Sequence, residues 1–138
     1  TPMHVIVDLS GWFGQGAGTE FHAMTPVRAL DTRINVGMSG AFTAGSNRSL
    51  VLAGSNGLPA APALRALLAQ VTAVSASSAG YLTVHPCAAV VPQVSMVQTS
   101  AAANTASVVI GADDNLGRWC IVASNPMHVL VDVSGYFA

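Results

Sequence analysis

Charge is scarce in this sequence. Of 138 residues, five are basic and six acidic, where an ordinary soluble domain has roughly a quarter of its residues charged. Lysine is absent, and the basic residues are all arginines: Arg28, Arg33, Arg48, Arg65 and Arg118. Five scattered arginines make no basic stripe, which argues against a nucleic-acid partner, because phosphate contacts need one. A surface covered by Ser, Thr, Asn, Gly and Ala puts little repulsion between copies and readily accepts a neighbour. Long apolar runs are missing too. The longest candidate, residues 60–73, is interrupted by Pro62, Arg65 and Gln70. It falls short of the roughly 18 residues of a membrane helix, so no membrane insertion is expected.

Catalytic signatures are also lacking. Ser39 lies in Gly-Met-Ser-Gly, which is not a GxSxG nucleophile elbow. HExxH, CxxC and phosphate-loop patterns do not occur. The expectation is a protein without enzymatic activity, metal or cofactor. Cysteine is limited to Cys87 and Cys120, each in a strand-like context. An even pair in a lysine-free chain of low charge reads as one disulfide in an exported protein, with two buried free thiols as the alternative. The N-terminal stretch has no leader pattern and begins inside a strand-like segment. The chain is therefore expected to be a fragment of a secreted or cell-surface protein, with the export signal elsewhere.

What the sequence does contain is a duplication. Residues 2–13 read Pro-Met-His-Val-Ile-Val-Asp-Leu-Ser-Gly-Trp-Phe, and residues 126–137 read Pro-Met-His-Val-Leu-Val-Asp-Val-Ser-Gly-Tyr-Phe. Nine of the twelve positions are identical at an offset of 124 residues. Self-similarity at a fixed period marks an array. On this reading residues 1–13 close a preceding unit or act as an N-terminal pairing strand, and residues 14–138 are one complete repeat unit. The other reading uses both segments as related strands of one domain.

The ending strand, the segment Pro26-Val-Arg-Ala-Leu-Asp-Thr-Arg33 and the segment Ala79-Gly-Tyr-Leu-Thr-Val-His-Pro-Cys87 together resemble tandem repeat modules of secreted and cell-surface proteins of actinobacteria. The resemblance covers most of residues 14–138. It implies a tandem architecture, sometimes beside hydrolase domains, and an extracellular location. It implies no activity.

Val, Ile, Thr and aromatic residues occur in short runs broken by Gly, Asn, Ser and Pro, the pattern of an all-β fold. Strands are expected near 3–9, 27–31, 48–53, 67–76, 80–85, 94–99, 106–110, 118–123 and 127–133. Turn residues at 76–80 and 113–117 predict hairpins, and Ser124-Asn125-Pro126 joins the last two strands. The C-terminal half then reads as a chain of hairpins in one antiparallel sheet. Residues 61–69 read as a loop leading into a strand, with at most one helical turn. About nine short strands point to an antiparallel β-sandwich, jelly-roll or immunoglobulin-like. A β-trefoil is the alternative, although no threefold repeat is visible.

Candidate sites follow from the scarce polar residues. His4 and Asp8, like His128 and Asp132, stand four apart on one strand face and could hold a metal or polar ligand; the simpler role is a hydrogen-bonded strand end. Arg28, Asp31 and Arg33 form the densest charge group, and regular alternation places Arg28 opposite the other two. Arginine forks could bind carboxylate or sugar, or form an internal ion pair. Asp113, Asp114 and Asn115 offer oxygens for calcium or for a turn. Trp12 and Trp119, with Arg28 and Arg33, are the candidate glycan-binding residues; Tyr81 and Tyr136 are further aromatics of this kind. His4, Val5, Ile6, Val7, Asp8 and Leu9 are the candidate assembly strand. Whatever groove accepts residues 127–133 should accept residues 3–9 almost as well, so the spare copy is expected to pair at an edge, pack on a neighbour or complete a neighbour's sheet. The partners expected are other copies of the module, with glycan as the rival.

Overall fold

A computed structural model describes residues 2–16 and 18–138; Thr1 and Ala17 lie outside the described residues. The described residues contain no helix and eight strands: β1 (Phe21–Asp31), β2 (Asn47–Val51), β3 (Ala66–Val74), β4 (Gly80–Pro86), β5 (Val97–Thr99), β6 (Thr105–Ala112), β7 (Arg118–Ala123) and β8 (His128–Phe137). They form two four-stranded antiparallel sheets, ordered β1-β8-β3-β6 and β2-β7-β4-β5. This is a β-sandwich with the strand order of a jelly roll, not a trefoil.

The sandwich follows from alternation. Leu67, Ala69, Val71 and Ala73 of β3 point inward, as do Val129, Val131 and Val133 of β8. Leu82 and Val84 of β4 meet them from the other sheet, with Trp119, Ile121 and Ala123 of β7. Period-two placement is what gives each strand one face for the core. Each fully buried Val or Leu contributes about 1.5–3 kcal/mol relative to exposure. Gly111 on β6 makes room for the Trp119 ring, which a Cβ there would meet at 2.9 Å.

Two expectations are corrected here. Residues 3–9 form no strand: among the described residues the segment 2–14 has no strand partner, and it lies exposed. Its β-propensity is real, but the position matching its sequence is already filled by β8. Nor do the predicted turns make hairpins. The links β3–β4, β6–β7 and β7–β8 each carry the chain from one sheet to the other. Turn residues report a chain reversal, and an arch between layers uses the same chemistry as a hairpin within one. Residues 60–64 make a single turn, with the Ala63 and Leu64 amides donating to the Ala60 carbonyl, and then enter β3.

The two edges of the first sheet differ. β1 carries Pro26 and two register shifts, between Ala23 and Val27 and between Arg28 and Leu30, devices that blunt an edge. β6 runs without register shift along β3 and contains no charge or proline.

Candidate functional site

The two segments singled out in the sequence, 26–33 and 128–132, are each other's binding partners. Arg28 lies opposite Asp132 across the β1–β8 ladder. Its Nε donates to Asp132 Oδ1 at 2.6 Å and its Nη2 to Oδ2 at 2.9 Å, a bidentate fork that only arginine provides. Its Nη1 donates to Asp31 Oδ2 at 3.1 Å. The Asp31 carboxylate, itself buried, also accepts from the Arg33 amide at 3.1 Å, from Arg33 Nε at 2.9 Å and from Nη2 at 2.7 Å. Regular alternation would have put Arg28 on the far face; the bulge between Arg28 and Leu30 cancels it. The Arg33 hydrogen bonds hold the Asp31 carboxyl well below the usual carboxylate range, against the effect of burial. Arg28 is shifted upward, first by its bond to Asp132.

Thr32 completes this lock, and the sequence reading gave it no role. Its amide donates to the Val129 carbonyl at 3.2 Å, and its Oγ1 accepts from the Val129 amide at 3.0 Å. The same hydroxyl is hydrogen-bonded to His128 Nδ1 at 3.0 Å. The signal lay in the segment Leu30-Asp-Thr-Arg33, but only the structure shows which strand it faces. At the other end of β8, Gly135 must lack a side chain: a Cβ there would meet the Phe21 ring at 2.5 Å. Phe137 packs on Phe21 with ring centroids 5.2 Å apart, and Tyr136 stacks on His22 at 4.9 Å.

The N-terminal segment repeats the β8 side of this lock without using it. His4, Val5, Val7, Asp8, Ser10, Gly11 and Phe13 are identical to their counterparts in β8. In their present position the apolar members face water; Leu9 is 90% exposed, where its counterpart Val133 is 0% exposed. Asp8, whose counterpart holds Arg28, here accepts a hydrogen bond from the Ser95 amide at 3.4 Å. Gly11 has nothing within 4 Å of where a Cβ would be. Trp12 is 85% exposed beside an open groove of about 270 Å³ lined also by Phe13, Ile110 and Phe137. The Phe13 and Phe137 rings lie 6.1 Å apart.

The other candidates are built into the fold. Trp119 is fully buried and donates from Nε1 to the Gly111 carbonyl at 3.3 Å, so it presents no face to a sugar. Arg48 donates to the Ser39 and Gly40 carbonyls and lies over Phe42, and Arg65 donates to Asn115. Asp113 accepts from the Gly117 amide at 2.8 Å; Asp114 accepts from the Leu116 and Arg118 amides, each at 3.0 Å, and from Arg118 Nε at 2.7 Å. Burial raises the Asp114 pKa, but the Arg118 and Leu116 bonds outweigh it and the net shift is downward. These carboxylates cap an arch. Cys87 and Cys120 are joined in a disulfide with Cα atoms 4.8 Å apart. It ties the segment after β4 to β7, over the outer face of the second sheet, where Thr83 and His85 are buried. No family model matches the chain, and no curated protein or solved structure matches it either.

Proposed function

We propose that this chain is a non-enzymatic structural and interaction module of an extracellular or cell-surface protein, used in tandem arrays or in self-association. One observation carries the reading. Residues 3–13 hold most of the side chains with which β8 binds its own sheet, yet they lie outside both sheets and exposed, on a molecule poor in charge. A segment of this kind is complementary to a sheet like the one it is attached to, so the partner it fits is another copy of the module. The disulfide supports an oxidising compartment. It also pins an outer-face loop in place, and tandem copies would multiply valency.

The rival reading, a carbohydrate-binding module, now rests on Trp12 and its groove, because Trp119 is buried and Arg28 and Arg33 are engaged by carboxylates. Sedimentation of the full chain and of a chain lacking residues 1–13 tests the assembly reading. Both are expected to be folded by circular dichroism, with concentration-dependent association weakened by the deletion. Equal association of the two would overturn it. Saturable glycan binding that is lost on Trp12→Ala would favour the rival.

A further inference from the structure

We propose that the slot between β1 and β3 has a second occupant within the same chain: residues 3–13 can enter it in place of β8, folding back on β1 through the connection 14–20. The chemistry of the slot is specific. It requires a His at the Thr32 hydroxyl, an Asp four residues on for Arg28, and a Gly beneath the Phe21 ring. Both His-Val-φ-Val-Asp-φ-Ser-Gly segments (φ being aliphatic) meet all three conditions at the same spacing. The three differences between the segments fall where exchange is mild. Ile6 replaces Leu130, Trp12 replaces a Tyr136 that is half-buried against the core and stacks on His22, and Leu9 replaces Val133. Only Leu9 adds a methylene to a fully buried place, which favours β8 as the resident strand.

Polarity and reach agree with the exchange. β8 runs antiparallel to β1 and ends with Phe137 opposite Phe21, the first residue of β1. Residues 3–13 in the slot would place Phe13 at that position. The seven residues from Gly14 to Glu20 would then close an ordinary hairpin, with Gly14, Gly16 and Gly18 supplying its flexibility. Phe13 already sits against Phe137 at the mouth of the slot. β8 in turn is held by the Ser124–Asn125 link, where Asn125 Nδ2 donates to the Ala79 carbonyl at 2.6 Å and the Tyr81 amide donates to Ser124 Oγ at 2.8 Å. When residues 3–13 take the slot, β8 is released as a strand able to enter the slot of a second copy. The inference rests on the assembly reading, and a monomeric full chain would end that reading while leaving the exchange itself testable.

The test is a pair of substitutions in the full chain. Val131 is fully buried and its counterpart Val7 is exposed. Val131→Asp disables β8, since a buried unpaired carboxylate is not tolerated, while Val7→Asp disables the spare strand. At a dilution where the chain is monomeric, so that association adds nothing to stability, we expect Val7→Asp alone to leave the urea midpoint unchanged, and Val131→Asp to retain a cooperative transition at a lower midpoint. The double variant is expected to lose the transition. In Val131→Asp, acrylamide quenching of Trp12 should fall as the ring moves onto His22. Loss of the transition in Val131→Asp alone would overturn the proposal. So would a double variant no less stable than Val131→Asp, or unchanged Trp12 quenching.

Discussion

At the scale of single residues, the scarcity of charge is offset by how fully the charges around β1 and β8 are used. Asp31 is the clearest case: one buried carboxylate receives the Arg33 amide and both neighbouring guanidinium groups. Its pKa in the folded chain lies below the ordinary value of 3.8. Its contribution to stability is therefore fully present above 3.8 and is lost as pH falls through the folded value. Asp31→Asn is expected to lower the denaturation midpoint at neutral pH, because the guanidinium groups lose their partner. The gap between variant and parent should close on acidification, as measured by urea titrations at pH 7 and at successively lower pH. A gap that widens in acid would contradict the ion-pair account.

At the scale of elements, the disulfide belongs to a loop more than to the core. Cys87 and Cys120 are separated by 33 positions, a closure worth at most about 4 kcal/mol on the chain-entropy estimate. The core alternation does not depend on it. Replacing both cysteines by Ala is expected to preserve the sandwich, lower stability by about 2–4 kcal/mol, and make residues 87–96 the first site of proteolysis. Cleavage elsewhere, or complete unfolding, would show that the bond supports the core. Seven of the nine expected strands, those other than 3–9 and 94–99, overlap the observed elements well, because alternation is a local property of sequence. β1 begins earlier than expected, at Phe21, and β5 is a three-residue piece of its run. Which strands pair was not legible, since Ser, Asn, Asp and Gly mark a reversal whether the chain returns within its sheet or crosses to the other. The bulge that turns Arg28 toward Asp31 was hidden for a similar reason: one inserted residue shifts a side chain to the other face without changing composition. Burial of Trp119 depends on Gly111, eight residues away on the opposing sheet, and a single sequence does not reveal that pairing.

At the scale of the whole molecule, β1 begins where β8 ends. Phe21 faces Phe137, and the Glu20 and Ala138 backbones exchange two hydrogen bonds of 3.0 and 3.1 Å. Tension applied through residues 20 and 138 would therefore fall on one rung of the ladder at a time and peel β8 from β1 like a zipper. The same two strands pulled from Phe21 and His128 would share the load across every rung at once. Thermodynamic stability and tensile strength thus part company here, and a disulfide between Cys87 and Cys120 shields neither β1 nor β8 from peeling. Single-molecule pulling with handles at 20 and 138 should rupture the sandwich at clearly lower force than handles at 21 and 128, and equal forces would refute this geometry. A row of such modules under tension would lengthen early and yield gradually, acting as a shock absorber and not as a stiff rod.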